Sequence, residues 1–189
     1  MSSIEIIASI LGLISVFLVT KQNIWCWPTG IVMVLLYIVI FYQARLYSDM
    51  LLQVFFAIMQ TYGWYFWLKR DVENGQVKVS NLKKGEWLIW ILMVVLISML
   101  LGIMMNKYTN ADLPYIDAFT TALSIIAQWL MTKKKIENWI LWIVADVIYI
   151  VMYFYKELYP TAILYLVFLV LAFIGYFDWK KEYRGLVLN

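Results

Sequence analysis

Seven apolar stretches, roughly 4–20, 29–43, 50–68, 87–105, 116–131, 138–155 and 160–179, fill most of this 189-residue chain, and none contains a Lys or Arg. A water-soluble fold could not hide them. Apolar residues make up 65% of the chain and charged residues 14%, against about 45–50% and 25% in ordinary soluble domains. A soluble domain of this length buries only about 70% of its chain surface. Mean hydropathy is +0.80. The solvent is therefore expected to be lipid. At ~20 residues per span there is room for about seven crossings and no aqueous catalytic domain. The expected class is an all-α membrane protein with seven transmembrane helices.

Absences narrow the chemistry. The chain has no His and one Cys, Cys26, which excludes an imidazole base, a His-ligated metal or haem, an internal disulfide and a Cys-cluster zinc site. No G-x-x-x-x-G-K-[ST] or G-x-G-x-x-G motif offers a nucleotide site. No catalytic residue, metal or cofactor is expected. The net charge of +3 is too small to argue for nucleic acid. The expected partners are a small-molecule substrate and membrane lipid; nothing marks a subunit interface, so a homo-oligomer and a monomer both stay open. The N-terminus, MSSIEIIASILGL, lacks a basic n-region and an A-x-A-like cleavage site, so it reads as a first span and not as a cleaved signal.

The charges fix an orientation. Loops after spans 1, 3, 5 and 7 carry 12 basic residues (Lys21; Lys69, Arg70, Lys78, Lys83, Lys84; Lys133, Lys134, Lys135; Lys180, Lys181, Arg184), and the other side carries 3 (Arg45, Lys107, Lys156). Positive-inside logic places the N-terminus outside and the C-terminus in the cytoplasm. Trp25, Trp27, Trp87, Trp90, Trp139 and Trp179 sit near span ends and read as an aromatic belt. Pro28 fits the first turn of the second helix, where its missing N–H costs nothing. The stretch DVENGQVKVSNLKKGE, 71–86, is the one polar linker.

Sliding the chain against itself by 112 residues aligns 20–70 with 132–182 without a gap. Identical pairs include Trp27/Trp139, Tyr37/Tyr149, Leu46/Leu158, Tyr47/Tyr159, Phe56/Phe168, Gly63/Gly175 and Trp67/Trp179. A three-span unit repeated in the same orientation needs one extra crossing, which span 4 supplies. The expected architecture is 3+1+3 with parallel repeats: 1–70 as the first three-helix repeat, 71–115 as linker plus connecting helix, 116–189 as the second repeat. Transporters use such repeats to build a site where the halves meet.

Where the copies differ, one half does something the other does not. Gln60 faces Ala172, Asp146 faces Val34, Asn138 faces Cys26, Gln128 faces Val16 and Trp142 faces Gly30. Helical spacing collects these onto stripes: Gln53, Ala57, Gln60, Trp64 and Trp67 on span 3; Asp117, Thr121, Ser124 and Gln128 on span 5; Asn138, Trp142, Asp146, Tyr149 and Tyr153 on span 6. Structural readings compete. Trp67 and Trp179 read best as belt anchors, Trp64 and Trp142 equally well as packing, and the glutamines as interhelical hydrogen-bond partners. Asp146 resists such a reading, because no cation lies in any span and an unpaired intramembrane carboxylate is costly. It should face a polar cavity or a ligand.

The missing intramembrane cations bear on cargo. Phosphate and carboxylate recognition usually relies on Arg, Lys or a helix N-terminus. One buried carboxylate, amides and Trp/Tyr faces favour a neutral or cationic molecule with a flat ring and hydroxyls. Aromatic faces stabilise desolvated cations by ~0.5–2 kcal/mol each. A nucleoside-like or vitamin-like cargo is preferred over a nucleotide.

In MQTYGWYFW (59–67), AQWLMTKKKIENWILWIVADVIYI (127–150) and LYLVFLVLAFIGYFDWKK (164–181), the chain resembles the PnuC family of bacterial nicotinamide riboside transporters, over nearly its whole length. The resemblance implies a seven-helix 3+1+3 fold related to a doubled SWEET-type (PQ-loop) bundle. It also implies inner-membrane uptake by facilitated diffusion, alternating access by rocking of one repeat against the other, and cytoplasmic phosphorylation that traps the cargo. The family's binding residues map onto Gln60, Trp64, Gln128, Asn138, Trp142, Asp146 and Tyr149, with Trp67, Tyr176 and Asp178 next in rank. Rival readings are the same fold carrying thiamine, riboflavin or another vitamin, a SWEET-type sugar uniporter, a membrane enzyme using Asp146 as acid/base, and a non-transporting scaffold.

Overall fold

A computed structural model describes residues 3–43, 47–74, 78–109 and 112–188. Arg45, Leu46 and residues 75–77 of the linker lie outside the described residues, as do the side chains of Tyr47 and Arg70. The described chain forms seven helices: α1 (Ser3–Thr20), α2 (Cys26–Gln43), α3 (Tyr47–Asn74), α4 (Glu86–Tyr108), α5 (Pro114–Thr132), α6 (Glu137–Tyr155) and α7 (Tyr159–Leu188). Each contains one apolar stretch. The extra length of α3 comes mainly from the polar tail KRDVEN, 69–74, which holds no Gly or Pro to stop a helix, and that of α7 from KKEYRGLVL, 180–188, whose Gly185 does not end it.

Five helices, α1, α2, α4, α6 and α7, are long and apolar enough to cross a bilayer. The other two carry the polar stripes of α3 and α5. For α5 the reason is cover: eleven of its nineteen residues are buried, among them Thr120, Ser124, Gln128 and Thr132, so protein shields its polar side chains. Its neighbour α4 is the opposite case, apolar all round and exposing Leu88, Leu92, Leu96 and Met99, with only Val94 and Gly102 buried.

The chain divides into two compact units, Met1–Lys78 with Phe177–Asn189, and Val79–Tyr176. In the first, α1, α2 and α3 are joined by the tail of α7. Lys21 pairs with Asp178 at 2.8 Å, the Gln22 amide donates to Glu182, and the Trp179 indole N–H donates to the Val19 carbonyl at 3.2 Å. In the second, the core is Val94, Ala122, Leu123, Ile126, Leu130 and Ala145. The segment before α4 straps onto the α5–α6 turn. Ser80 N–H donates to Lys134 O (3.1 Å), Ile136 N–H to Ser80 O (3.0 Å) and Leu82 N–H to the Glu137 carboxylate (2.9 Å).

The turns repeat hydrogen bond by hydrogen bond. After α1, Gln22 N–H donates to Val19 O and Asn23 N–H to Leu18 O; after α5, Lys134 N–H donates to Met131 O and Lys135 N–H to Leu130 O, all at 2.9 Å. This is the Schellman arrangement, with the residue after the helix in the left-handed region: Gln22 at φ 54°, Lys134 at φ 49°. The next bonds match too, Trp27 to Ile24 O and Trp139 to Ile136 O. Each pair of equivalent atoms is 112 positions apart.

The indoles correct part of the belt reading. Trp25 and Trp87 are exposed, as belt residues should be, but Trp27, Trp139, Trp67 and Trp179 are all at most 4% exposed. The rings of Trp27 and Trp139 fill space that a facing glycine leaves open. A Cβ on Gly63 would lie 2.2 Å from the Trp27 ring, and one on Gly175 would lie 2.4 Å from the Trp139 ring. Trp67 stands edge-on to Trp27, with centroids 5.2 Å apart.

Candidate substrate site

Helix α6 gathers most of the candidates onto one buried face. Asn138 and Asp146 are buried and Trp142 and Tyr149 half-buried, while Val144, Val147 and Val151 on the opposite face are 40–66% exposed. The period of the sequence stripe is thus the period of burial. Asp146 is 4% exposed, and among the described residues it makes no hydrogen bond or ion pair.

One turn on from Asp146, the Tyr149 hydroxyl lies near Thr120 and Ser124 of α5. Those hydroxyls are themselves set by donation to their own helix, Thr120 to Asp117 O at 3.0 Å and Ser124 to Thr120 O at 2.9 Å. Tyr149, Tyr153 and Tyr165 form a three-ring cluster, with centroids 4.7 Å apart for Tyr149–Tyr165, 5.2 Å for Tyr153–Tyr165 and 6.0 Å for Tyr149–Tyr153. The first copy repeats one of these contacts, Tyr37 stacking on Phe41 at 5.8 Å, which is the 112-residue equivalent of Tyr149 on Tyr153.

Two amides in the same unit are incompletely used. Asn138 donates through Nδ2 to Lys135 O at 2.6 Å, yet its Oδ1, like the Nε2 of Gln128, is buried without a hydrogen-bond partner among the described residues. Leaving such an atom unsatisfied costs about 1–3 kcal/mol. Buried orphans of this kind mark places where something else completes the hydrogen bonding.

Gln60, Trp64 and Trp67 belong to the other unit, on α3. Gln60 is 8% exposed, and its carboxamide lies over Gly30 of α2. Trp64 is half-buried. Trp67 is occupied with Trp27. Tyr176 is half-buried on α7 beside Gly175, and Asp178 is held by Lys21.

Sequence reasoning missed Tyr165. A signal existed: its partner at the 112-residue offset is Gln53, the same kind of mismatch that singled out Gln60 and Asp146. Thr120 was missed as well; its role emerges only when α5 and α6 are packed. Chemically, the second unit offers the buried Asp146 carboxylate, two orphaned amide atoms and stacked phenols, and its apolar stretches hold no Lys or Arg. That set suits a flat cationic ring bearing hydroxyls.

Comparison with known proteins places the chain among transporters. The family model described as nicotinamide mononucleotide transporter matches residues 2–181. The nicotinamide riboside transporter PnuC of Escherichia coli (strain K12) is 30% identical, with 97% of this chain and 87% of that protein covered. PnuC of Neisseria mucosa is 27% identical, covering 93% of this chain and 71% of the relative. The riboflavin/roseoflavin transporter RibM of Streptomyces davaonensis is 22% identical, covering 95% and 85%. A crystal structure of the vitamin B3 transporter PnuC superposes with a TM-score of 0.78 at 26% identity, covering 95% of this chain and 81% of that one.

Proposed function

The chain belongs to the nicotinamide mononucleotide transporter family, a family of transporters and not of enzymes, and on that premise we propose that this multi-pass membrane protein carries nicotinamide riboside inward across the bacterial inner membrane. Transport is by facilitated diffusion, as a uniporter, with phosphorylation in the cytoplasm trapping the product. The observation that carries the reading is Asp146, a buried carboxylate with no counter-ion among the described residues, one turn from the stacked phenols. The riboside is a pyridinium cation on a ribose. Its ring matches the phenol and indole faces of Tyr149 and Trp142, its charge matches Asp146, and its hydroxyls match the amides of Gln128 and Asn138. Gln60 and Trp64 are proposed as further substrate contacts, with Trp67 and Tyr176 next in rank.

The family description names the mononucleotide, whereas the similar transporters are named for the riboside. No Lys or Arg lies within the seven apolar stretches, and a desolvated phosphate without one is strongly disfavoured. This favours the riboside.

Equilibrium binding to the purified protein tests the reading, using nicotinamide riboside, the mononucleotide, riboflavin and thiamine. The riboside is expected to bind at least about tenfold more tightly than the mononucleotide, the ratio for about 1.4 kcal/mol. Asp146→Asn should weaken the riboside by about tenfold or more, because a charge-assisted contact is worth about 1.5–3 kcal/mol. It should leave the uncharged, reduced dihydro form unaffected. Preference for the mononucleotide, or equal loss for both redox forms, contradicts the assignment. Counterflow of labelled riboside in liposomes without ion gradients tests the uniport mechanism.

A further inference from the structure

The two copies exchange bulk at one pair of positions. In the first copy the pair is Gly30 and Gln60; 112 residues on, it is Trp142 and Ala172. A small residue on the second helix of the copy goes with a large one on the third, and the reverse holds in the other copy. In the first copy the fit is close. A Cβ added to Gly30 would lie 2.6 Å from Gln60 Nε2, 2.9 Å from Cδ and 3.0 Å from Oε1. The whole carboxamide rests on the space the glycine leaves.

We infer that Gly30 is a positioning residue: its bare backbone sets where the Gln60 carboxamide lies, and through it how tightly the carrier holds its cargo. The inference rests on the proposed carrier function and on Gln60 as a substrate contact. Its reasoning is steric. Gly30 is helical, so alanine suits the backbone at least as well. The atoms that a methyl group would meet are the far end of a flexible side chain, which swings aside without disturbing the helix pair. At Gly63 the same change meets a rigid indole ring. Gly30→Ala should therefore move an amide where Gly63→Ala disturbs a packed core. The swap also predicts which copy supplies which chemistry: a carboxamide at this level from α3 in one, an indole from α6 in the other.

The test measures nicotinamide riboside affinity and thermal midpoint for wild type, Gly30→Ala, Gln60→Ala, the double Gly30→Ala/Gln60→Ala, and Gly30→Ala/Gln60→Asn. Gly30→Ala and Gln60→Ala should each lose about tenfold in affinity, one hydrogen bond's worth, with midpoints near that of wild type. The double alanine variant should lose no more than Gln60→Ala alone, since both changes remove one contact. Asparagine is one methylene shorter, and with Gly30→Ala it should recover part of the loss. Wild-type affinity in Gly30→Ala, additive losses in the double variant, or a Gly30→Ala protein that fails to fold overturns the inference while leaving the carrier function standing. Undiminished affinity in Gln60→Ala removes Gln60 as a contact, and the inference with it. A wild type that binds no riboside brings down the functional reading itself.

Discussion

Individual side chains divide into those whose burial shows in the sequence and those whose direction does not. Asp146, Gln60 and Gln128 were legible because the repeat supplies an internal control: a polar residue stands where the other copy has an apolar one, at Val34, Ala172 and Val16. Both Asp146 and Val34 prove buried, so the position is interior in both copies and only the chemistry changes. Trp67 and Trp179 were misread as belt residues, because a sequence shows that an indole lies near a span end without showing which way it points. Their burial follows from partners elsewhere in the chain, Trp27 for one and the Val19 carbonyl for the other. The glycines opposite Trp27 and Trp139 carry a prediction at this scale. With a Cβ 2.2 or 2.4 Å from a ring that has no room to turn, Gly63→Ala and Gly175→Ala should each destabilise by about 1–3 kcal/mol, the usual cost of overpacking. Thermal unfolding in detergent would show it as a lowered midpoint, and an unchanged midpoint in either variant would contradict this packing.

Helices were easier to foresee than the turns that end them. All seven apolar stretches became helices, since a lipid solvent leaves the backbone little choice but to satisfy its own hydrogen bonds. The stops were invisible because three of them use unusual residues: Gln22, Lys134 and Glu157 occupy left-handed positions with φ near 50–57°, where glycine is the usual choice. Glu157 is exposed, and the bonds that follow α6, Glu157 N–H to Phe154 O and Leu158 N–H to Tyr153 O, are backbone bonds that glycine preserves. Glu157→Gly should therefore raise stability by about 0.5–1 kcal/mol, from relief of the Cβ strain offset by glycine's greater unfolded-state entropy; a lowered thermal midpoint would refute it. The strap before α4 carries a second expectation. Its Leu82 N–H is anchored by the Glu137 carboxylate at 2.9 Å, a charge-assisted bond worth about 1.5–3 kcal/mol. Glu137→Ala should loosen 78–85 locally and speed trypsin cleavage at Lys83 and Lys84 by about tenfold. Cleavage at the wild-type rate would mean that the backbone bonds to Lys134 and Ile136 hold the strap alone.

Across the whole chain the proposal rests on duplication and sidedness. Three equivalent helix boundaries fall 112 residues apart: α1 ends at Thr20 and α5 at Thr132, α2 ends at Gln43 and α6 at Tyr155, and α3 begins at Tyr47 and α7 at Tyr159. Such coincidence, with Leu46/Leu158 and Tyr47/Tyr159 identical in the second turn, supports two copies of one three-helix unit with α4 as the connecting crossing. Contacts within each unit bear on the proposed sidedness. The α1–α2 turn is bound to the tail of α7 through Lys21–Asp178, and the α5–α6 turn to the linker through Ser80 and Lys135. In both cases the charge count had already assigned the partners to one side of the bilayer. Those contacts agree with the alternation of crossings, but the side itself rests on the distribution of 12 basic residues against 3, which the positive-inside tendency translates into a cytoplasmic C-terminus. The native Cys26 is buried, so a single introduced cysteine becomes the reactive thiol. Lys83→Cys and Lys181→Cys should react with a membrane-impermeant maleimide only after spheroplasts are permeabilised, whereas Lys107→Cys should react in intact spheroplasts. The reverse pattern would invert the topology, and with it the direction in which Asp146 first meets a cation arriving from outside.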